Sequence, residues 1–268
     1  AEVTEYANPT GTNPAGNWYV GRKVGEIWGY RAEGIIQTQA EADEYNKYDL
    51  SYLSGKAWEP GDVKYVDLNG DKAINRGKNT LEDMGDMTII GNTTPRYQYT
   101  FNGSISWKDL SLSMMFQGVA KRDWDPGTAP YFWGSGAYAQ VTVFNEHMDY
   151  WREDNKDAYY PKPYIHSAGG VGPFRNKTMQ TSDRYLQSGA YCRLKNITLS
   201  YNLPSTWVQK AGLQKVQVFF SGENLLTFTS LKGMFDPEAI FTSNSYTGEG
   251  GKNYPMNKVV SFGLVVNL

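Results

Sequence analysis

The 268-residue chain has a single cysteine, Cys192, and only two histidines. One thiol excludes an internal disulfide framework and any cysteine-based zinc site. Neither His147 nor His166 stands at metal-ligand spacing, so both read as ordinary loop residues. An excess of either charge is missing too. The 26 Lys and Arg against 28 Asp and Glu leave a formal net charge of -2, which gives no footprint for a nucleic-acid partner. No apolar run approaches the ~18 residues of a spanning helix, which argues against a helical inner-membrane protein and leaves membrane-crossing strands open. Ala1 to Tyr6 lack the basic and apolar segments of a signal peptide. The expectation is a chain whose leader was removed or, better, an internal piece of a longer protein. There is no Gly-rich phosphate loop after a strand and no Gly-x-Ser-x-Gly elbow. Glu146, Asp149, Glu153, Asp154 and Asp157 could suggest paired catalytic carboxylates, but a charged, solvated loop explains them more simply. Nothing here makes a case for catalysis.

Aromatic residues, by contrast, are abundant: 15% of the chain, including 20 Tyr and 8 Trp. Tyr and Trp favour places where one end is apolar and the other wet, such as membrane interfaces and sugar-binding surfaces. Between Arg96 and Gln117 the pattern becomes specific. Tyr97, Tyr99, Phe101, Ile105 and Trp107 alternate with Gln98, Thr100, Asn102, Ser104 and Ser106. After Lys108-Asp109 the alternation resumes as Leu110, Leu112, Met114 and Phe116 against Ser111, Ser113, Met115 and Gln117. Successive strand side chains point to opposite faces, so this is a hairpin with one apolar face and one small, polar face. The strand from Tyr97 to Trp107 matches the ~9–11 residues that a tilted strand needs to cross a bilayer. Lipid against the apolar face, with a wet or plugged lumen behind the polar one, suits this pattern better than a soluble sandwich.

Other elements follow from the same reading. Trp18 to Tyr30 reads as a strand region broken by glycines, and Gln37 to Tyr48 as a short helix. Asp62 to Val66 reads as a strand that opens after Pro60-Gly61. From about Ala120 to Ser182 the chain turns loop-like, rich in Gly, Pro and aromatics, including Asp125-Pro-Gly, Tyr159-Tyr-Pro-Lys-Pro-Tyr and Ala168-Gly-Gly-Val-Gly-Pro. A stretch this long is usually functional or bound to a partner. Alternation returns at Ile197 to Leu203, at Val216 to Ser221 and at Phe262 to Leu268.

Several blocks together resemble one family. Pro60-Gly-Asp-Val-Lys-Tyr-Val-Asp-Leu-Asn-Gly-Asp71 and Ile90-Gly-Asn-Thr-Thr-Pro95 are similar to the late region of SusC/RagA-type TonB-dependent outer-membrane transporters. So are Asp149-Tyr-Trp-Arg-Glu-Asp-Asn155, Tyr191-Cys-Arg-Leu-Lys-Asn-Ile-Thr-Leu-Ser-Tyr-Asn-Leu-Pro204, Ser221-Gly-Glu-Asn-Leu-Leu-Thr-Phe228, Asp236-Pro-Glu238, Tyr254-Pro255 and Val260-Ser-Phe-Gly-Leu264. The blocks occur in family order and cover nearly the whole chain. The resemblance implies an all-β fold: residues 1–268 would be the C-terminal strands and extracellular loops of a transmembrane antiparallel β-barrel, with a long loop region at about 120–182. The plug domain, the TonB-contacting segment and the signal peptide would precede it. Leu268 departs from the aromatic residue on which such barrels usually finish. The family further implies a Gram-negative, Bacteroidetes-like outer membrane, import of glycans or peptides, and a SusD-like surface lipoprotein as a lid. TonB would deliver energy through the absent plug.

Two groups of residues offer sites. Trp124, Tyr131, Trp133, Trp151 and Tyr160, with Phe132, Tyr159 and Tyr164 around them, crowd the loop region. They are expected either to contact substrate or lid, or to pack loop on loop. Asp67, Asn69 and Asp71 occupy positions 1, 3 and 5 of a calcium-type loop, which makes calcium the one cofactor in view. Lys72 and Lys78 break that pattern at positions 6 and 12, and an Asx-rich turn is the simpler reading. A soluble, secreted β-sandwich that binds carbohydrate, with or without calcium, is the rival fold, and a glycoside hydrolase is a weaker third reading.

Overall fold

A computed structural model describes residues 1–8, 11–54, 56–127, 129–134, 143–164, 177–240 and 253–268. His166 and the Ala168-Gly-Gly-Val-Gly-Pro stretch lie outside the described residues. In chain order the elements are β1 (Glu26–Tyr30), β2 (Ala32–Ile35), α1 (Gln39–Tyr45), β3 (Val63–Tyr65), β4 (Met87–Asn92), β5 (Arg96–Trp107) and β6 (Leu110–Lys121). They continue with β7 (Asp123–Trp124), α2 (Pro130–Trp133), β8 (Gln187–Ser188), β9 (Tyr191–Asn202), α3 (Ser205–Lys210), β10 (Lys215–Thr229) and β11 (Val259–Asn267). Among the described residues, no helix is long and apolar enough to cross a membrane. The chain divides into two compact units. The first is drawn from Ala1–Thr94 and Asp123–Gln187, and the second from Pro95–Arg122, Ser188–Ile240 and Asn253–Leu268.

The second unit is one antiparallel sheet of five strands in the order β11-β10-β9-β6-β5. The expected hairpin forms β5 and β6, with Phe101 opposite Phe116, Ile105 opposite Leu112 and Trp107 opposite Leu110. Lys108 turns the corner at φ 54°, a left-handed conformation that suits a tight hairpin turn. β6 then pairs with β9, which comes much later in the chain, and β9 with β10. One residue of irregularity at Met115/Phe116 and another between Glu223 and Leu226 shift the register without losing the faces.

The first unit is built from short pieces. β1 pairs with β4 and β2 with β3, both antiparallel. Helix α1 is shorter than its polar stretch suggested. Thr38 caps it by accepting the Glu41 N–H at 3.2 Å, while Glu41 accepts the Gln37 N–H at 2.8 Å. Its buried side chains are Ala42 and Tyr45. The Tyr45 hydroxyl takes the Tyr65 N–H at 3.0 Å and reaches the Tyr65 carbonyl at 3.1 Å, tying the helix to β3. Around this sit Trp58, Tyr30, Tyr65, Tyr185, Phe132 and Ile36, all almost fully buried. At roughly 1.5–3 kcal/mol per fully buried apolar side chain, these rings supply a core that short strands alone could not.

Candidate functional site

The five-stranded sheet keeps its two chemistries apart across its whole width. Ile105, Leu112, Leu199, Phe220 and Phe262 stand side by side as one registered row. Trp107, Leu110, Tyr201, Val218 and Leu264 form the next row. One position over, on the opposite face, the row is Ser104, Ser113, Thr198, Ser221 and Ser261. The apolar face is not sealed: Phe101 is 61% exposed, Ile105 67% and Phe262 81%. A sandwich buries this face against a second sheet. Here it stands open, a patch far larger than scattered surface apolar residues make.

Glycine and aromatic residues complete the sheet. A side chain at Gly118 would meet the ring of Tyr99, its cross-strand partner, and the Tyr191 carbonyl. A side chain at Gly263 would meet the ring of its partner Phe219. Both rings cover backbone that glycine leaves bare.

The polar face carries a charged cluster. Arg193 on β9 is 3% exposed, and its guanidinium lies 2.8 Å from Asp236 and 3.2 Å from Glu238. Its Nε donates to the Thr227 hydroxyl at 2.8 Å, and Lys195 pairs with Glu238 at 3.1 Å. Burial works to raise the Asp236 carboxyl, but the backbone N–H of Glu238, the Arg193 guanidinium and the backbone N–H of Met256 outweigh it and hold the group below its ordinary range. Leu231, Phe235, Thr227 and Met256 join Arg193 and Asp236 around a hollow of about 320 Å³. The sequence marked Asp236-Pro-Glu238 only as a family block. Its partnership with Arg193 spans more than forty positions and leaves no local signal.

In the first unit the loop aromatics pack on one another. Phe132 lies edge-on to Trp133, Tyr160, Trp124 and Tyr185, with centroids 4.9, 5.7, 6.2 and 6.3 Å away. His147 joins them. Its Nδ1 accepts the Phe144 N–H at 3.0 Å, and its Nε2 faces the Tyr131 carbonyl at 3.0 Å, so the proton belongs on Nε2. Most of the group expected either to contact substrate or lid or to pack loop on loop is packed in this way. Trp124, Trp133, Trp151 and Tyr160 are 4–7% exposed, spent on packing and on bonds such as Trp151 Nε1 to Gln37 Oε1 at 3.0 Å. Of the five, Tyr131 alone presents itself, at 41%. Nearby, Asp62 and Lys177 form an ion pair at 2.9 Å with side chains 0% and 2% exposed. The Tyr164 hydroxyl adds a bond to Asp62 at 2.5 Å, and Lys177 sits 5.4 Å from the Trp58 ring centroid.

No protein-family model matches the chain. TonB-dependent receptor P3 of Formosa agariphila is 30% identical over 250 residues, which is 91% of this chain and 22% of that receptor. TonB-dependent receptor P26 of the same organism is 25% identical over 253 residues, 92% of this chain and 23% of the receptor. Among solved structures, the RagAB peptide transporter superposes with a TM-score of 0.57 at 23% identity, covering 98% of this chain and 24% of that one. The chain matches a segment of TonB-dependent receptors. It spans less than a quarter of the length of the curated receptors it matches.

In this receptor segment the five-stranded sheet is barrel wall, which explains an apolar face left open and a polar face with serine and threonine in rows. The Asp67-x-Asn69-Gly70-Asp71 block keeps its oxygens close to its own backbone. Asp67 accepts the N–H groups of Gly70 at 2.6 Å and Lys72 at 2.9 Å, Asn69 that of Asp71 at 3.1 Å, and Asp71 that of Ala73 at 2.8 Å. These are Asx turns. Among the described residues no group of three or more His, Cys, Asp and Glu is placed to hold a metal ion. Asp86 anchors the block from below. It is fully buried and accepts the N–H groups of Leu68 at 2.8 Å and Asn75 at 2.9 Å. Burial raises its carboxyl above the ordinary range, against the pull of those two bonds.

Proposed function

We propose that this chain forms C-terminal wall strands and extracellular loops of an outer-membrane transporter that imports glycans or, as for the RagAB relative, peptides. A plug outside this segment would couple it to TonB, and a SusD-like lipoprotein would close the extracellular mouth. The observation that carries the reading is the unsealed apolar face, registered across five strands, with small polar residues behind it. Water penalises such a face, whereas hydrocarbon does not. The first unit, rich in packed aromatics, would present Tyr131 to lid or cargo, since that ring remains accessible.

The test uses the full-length receptor. Leu112→Arg puts a charge into hydrocarbon at a cost of roughly 2–4 kcal/mol near the midplane, whereas Ser113→Arg turns the same charge to the lumen. Heat-modifiable migration of membrane extracts is expected to fall for the first and persist for the second. Equal folding of both, with the protein monodisperse in detergent-free buffer, would return the sandwich reading. Uptake by cells supplied with oligosaccharides or oligopeptides as sole carbon source then separates the two cargo classes.

A further inference from the structure

The end of the sheet opposite the Lys108-Asp109 turn carries a hollow that wall strands alone do not need. There the long connection between β10 and β11 is fastened to the polar face by Asp236, which accepts the Arg193 guanidinium at 2.8 Å and the Met256 N–H at 3.0 Å. The hollow of about 320 Å³ is lined by this connection and by polar-face residues of the strands. In barrels of this kind long connections are extracellular and the polar face lines the lumen, so the hollow stands where entering cargo passes.

Two buried polar atoms of its lining make no hydrogen bond. Asn224 lies at φ 54° in the irregularity between Glu223 and Leu226, the kind of bulge that re-aims a side chain. Its Nδ2 donates to the Asn257 carbonyl at 3.1 Å, which fixes the amide and leaves the buried Oδ1 without a donor. Arg193 Nη1 is the other; it faces Glu238 at 3.2 Å as an ion pair but forms no hydrogen bond. An unmet acceptor and an unmet donor on one hollow call for a ligand that offers both. Lys258, exposed on the same lining, has no ion-pair partner among the described residues. Asp236 is already matched by Arg193, so that ammonium stands unanswered. Leu231, Met234, Phe235 and Met256 supply the apolar part of the lining.

We propose that this hollow binds the C-terminal residue of an oligopeptide. The last peptide bond gives its N–H to Asn224 and its carbonyl to Arg193, where Glu238 disfavours an anion. The terminal carboxylate meets Lys258, and an apolar side chain covers Leu231, Met234 and Phe235. A sugar also donates and accepts, but it favours an open aromatic face, and Phe235 is only 6% exposed. The inference rests on the import reading and names the cargo class within it.

Full-length receptor in mild detergent is titrated into an N-terminally fluorescent alanine tetrapeptide ending in leucine, as free acid and as C-terminal amide, and anisotropy is read. Wild type is expected to bind the acid on the order of tenfold more tightly, the worth of one charge-assisted hydrogen bond. Lys258→Gln is expected to abolish that difference and Lys258→Arg to keep it. Asn224→Gly, which tolerates the left-handed backbone, is expected to weaken both peptides alike. Gly233 lines the hollow and a Cβ there meets nothing within 4 Å, so Gly233→Trp adds bulk without a backbone clash and is expected to lose both. Equal binding of acid and amide by wild type, or unchanged binding by folded Gly233→Trp, overturns the proposal. So does a uronic-acid oligosaccharide that binds more tightly than the peptide acid with the same dependence on Lys258. Wild type that shows no heat-modifiable barrel overturns the transporter reading along with it, whereas a folded barrel that binds neither peptide overturns this inference alone.

Discussion

The ring of Tyr99 occupies the space that a side chain at Gly118 would need. The two residues face each other across β5 and β6, and a Cβ at Gly118 would lie 2.4 Å from the Tyr99 hydroxyl oxygen. It would also lie 2.3 Å from the Tyr191 carbonyl oxygen, which belongs to backbone and cannot swing away. Gly118→Ala is therefore expected to destabilise the wall by about 1–3 kcal/mol, the usual cost of overpacking. The full-length receptor's unfolding midpoint in detergent measures it. A variant as stable as wild type would show that the strands part at no cost.

Arg193 gives a second prediction. Arg193→Met leaves Asp236 and Glu238 without their buried cation, and a loss of roughly 3–5 kcal/mol is expected. Removing Asp236 and Glu238 together with Arg193 is expected to recover part of it. If the triple variant falls further than the single one, the cluster is more than a mutual neutralisation.

The carboxyls predict opposite pH responses. The folded value of Asp236 is depressed, so its contribution is present above the unfolded carboxyl value of about 3.9 and is lost as pH falls through the folded value. The folded value of Asp86 is raised, so its contribution is present below about 3.9 and is lost as pH rises through the folded value. Asp86→Asn is expected to remove the second slope and leave the first. Unfolding midpoints followed from acid to neutral pH would read both, and a single common slope would contradict the assignment.

For the Asp67 block, the Asx-turn geometry predicts that Asp67→Ala costs about 1–2 kcal/mol through two lost backbone acceptor bonds. The same loss is expected in calcium and in chelator. A calcium-dependent midpoint in wild type that vanishes in the variant would show that the loop holds a cation.

The buried pair of the first unit supplies the last. Lys177→Met strands the Asp62 carboxylate, whereas Lys177→Met with Asp62→Asn leaves a neutral, polar core. Protease treatment of intact cells is expected to cut the single variant faster than the double. Equal rates would mean that water reaches Asp62.

Strands and their faces were readable in the amino-acid order because strand geometry repeats every two residues. Tyr99, Phe101, Ile105 and Trp107 announce one face within a single segment, and the turn at Lys108-Asp109 adds its partner. The family blocks were readable for the same reason, each being local. Short strands such as β4, and the shortened α1, were not, because their limits are set by neighbours such as β1 and Thr38. The loop aromatics show the boundary most clearly. Nothing near Trp133 tells whether the ring meets cargo or Tyr185, since burial is decided by residues far along the chain.

By itself, then, the sequence determined that this chain makes long two-faced strands and resembles outer-membrane receptors, because side-chain alternation and short motifs are properties of neighbouring residues. Only the tertiary structure decided that β6 lies beside β9, that Arg193 meets Asp236, and that four of the five expected contact aromatics are core. Those outcomes depend on closing long loops and excluding water from particular surfaces, and neither is encoded in any one stretch of chain.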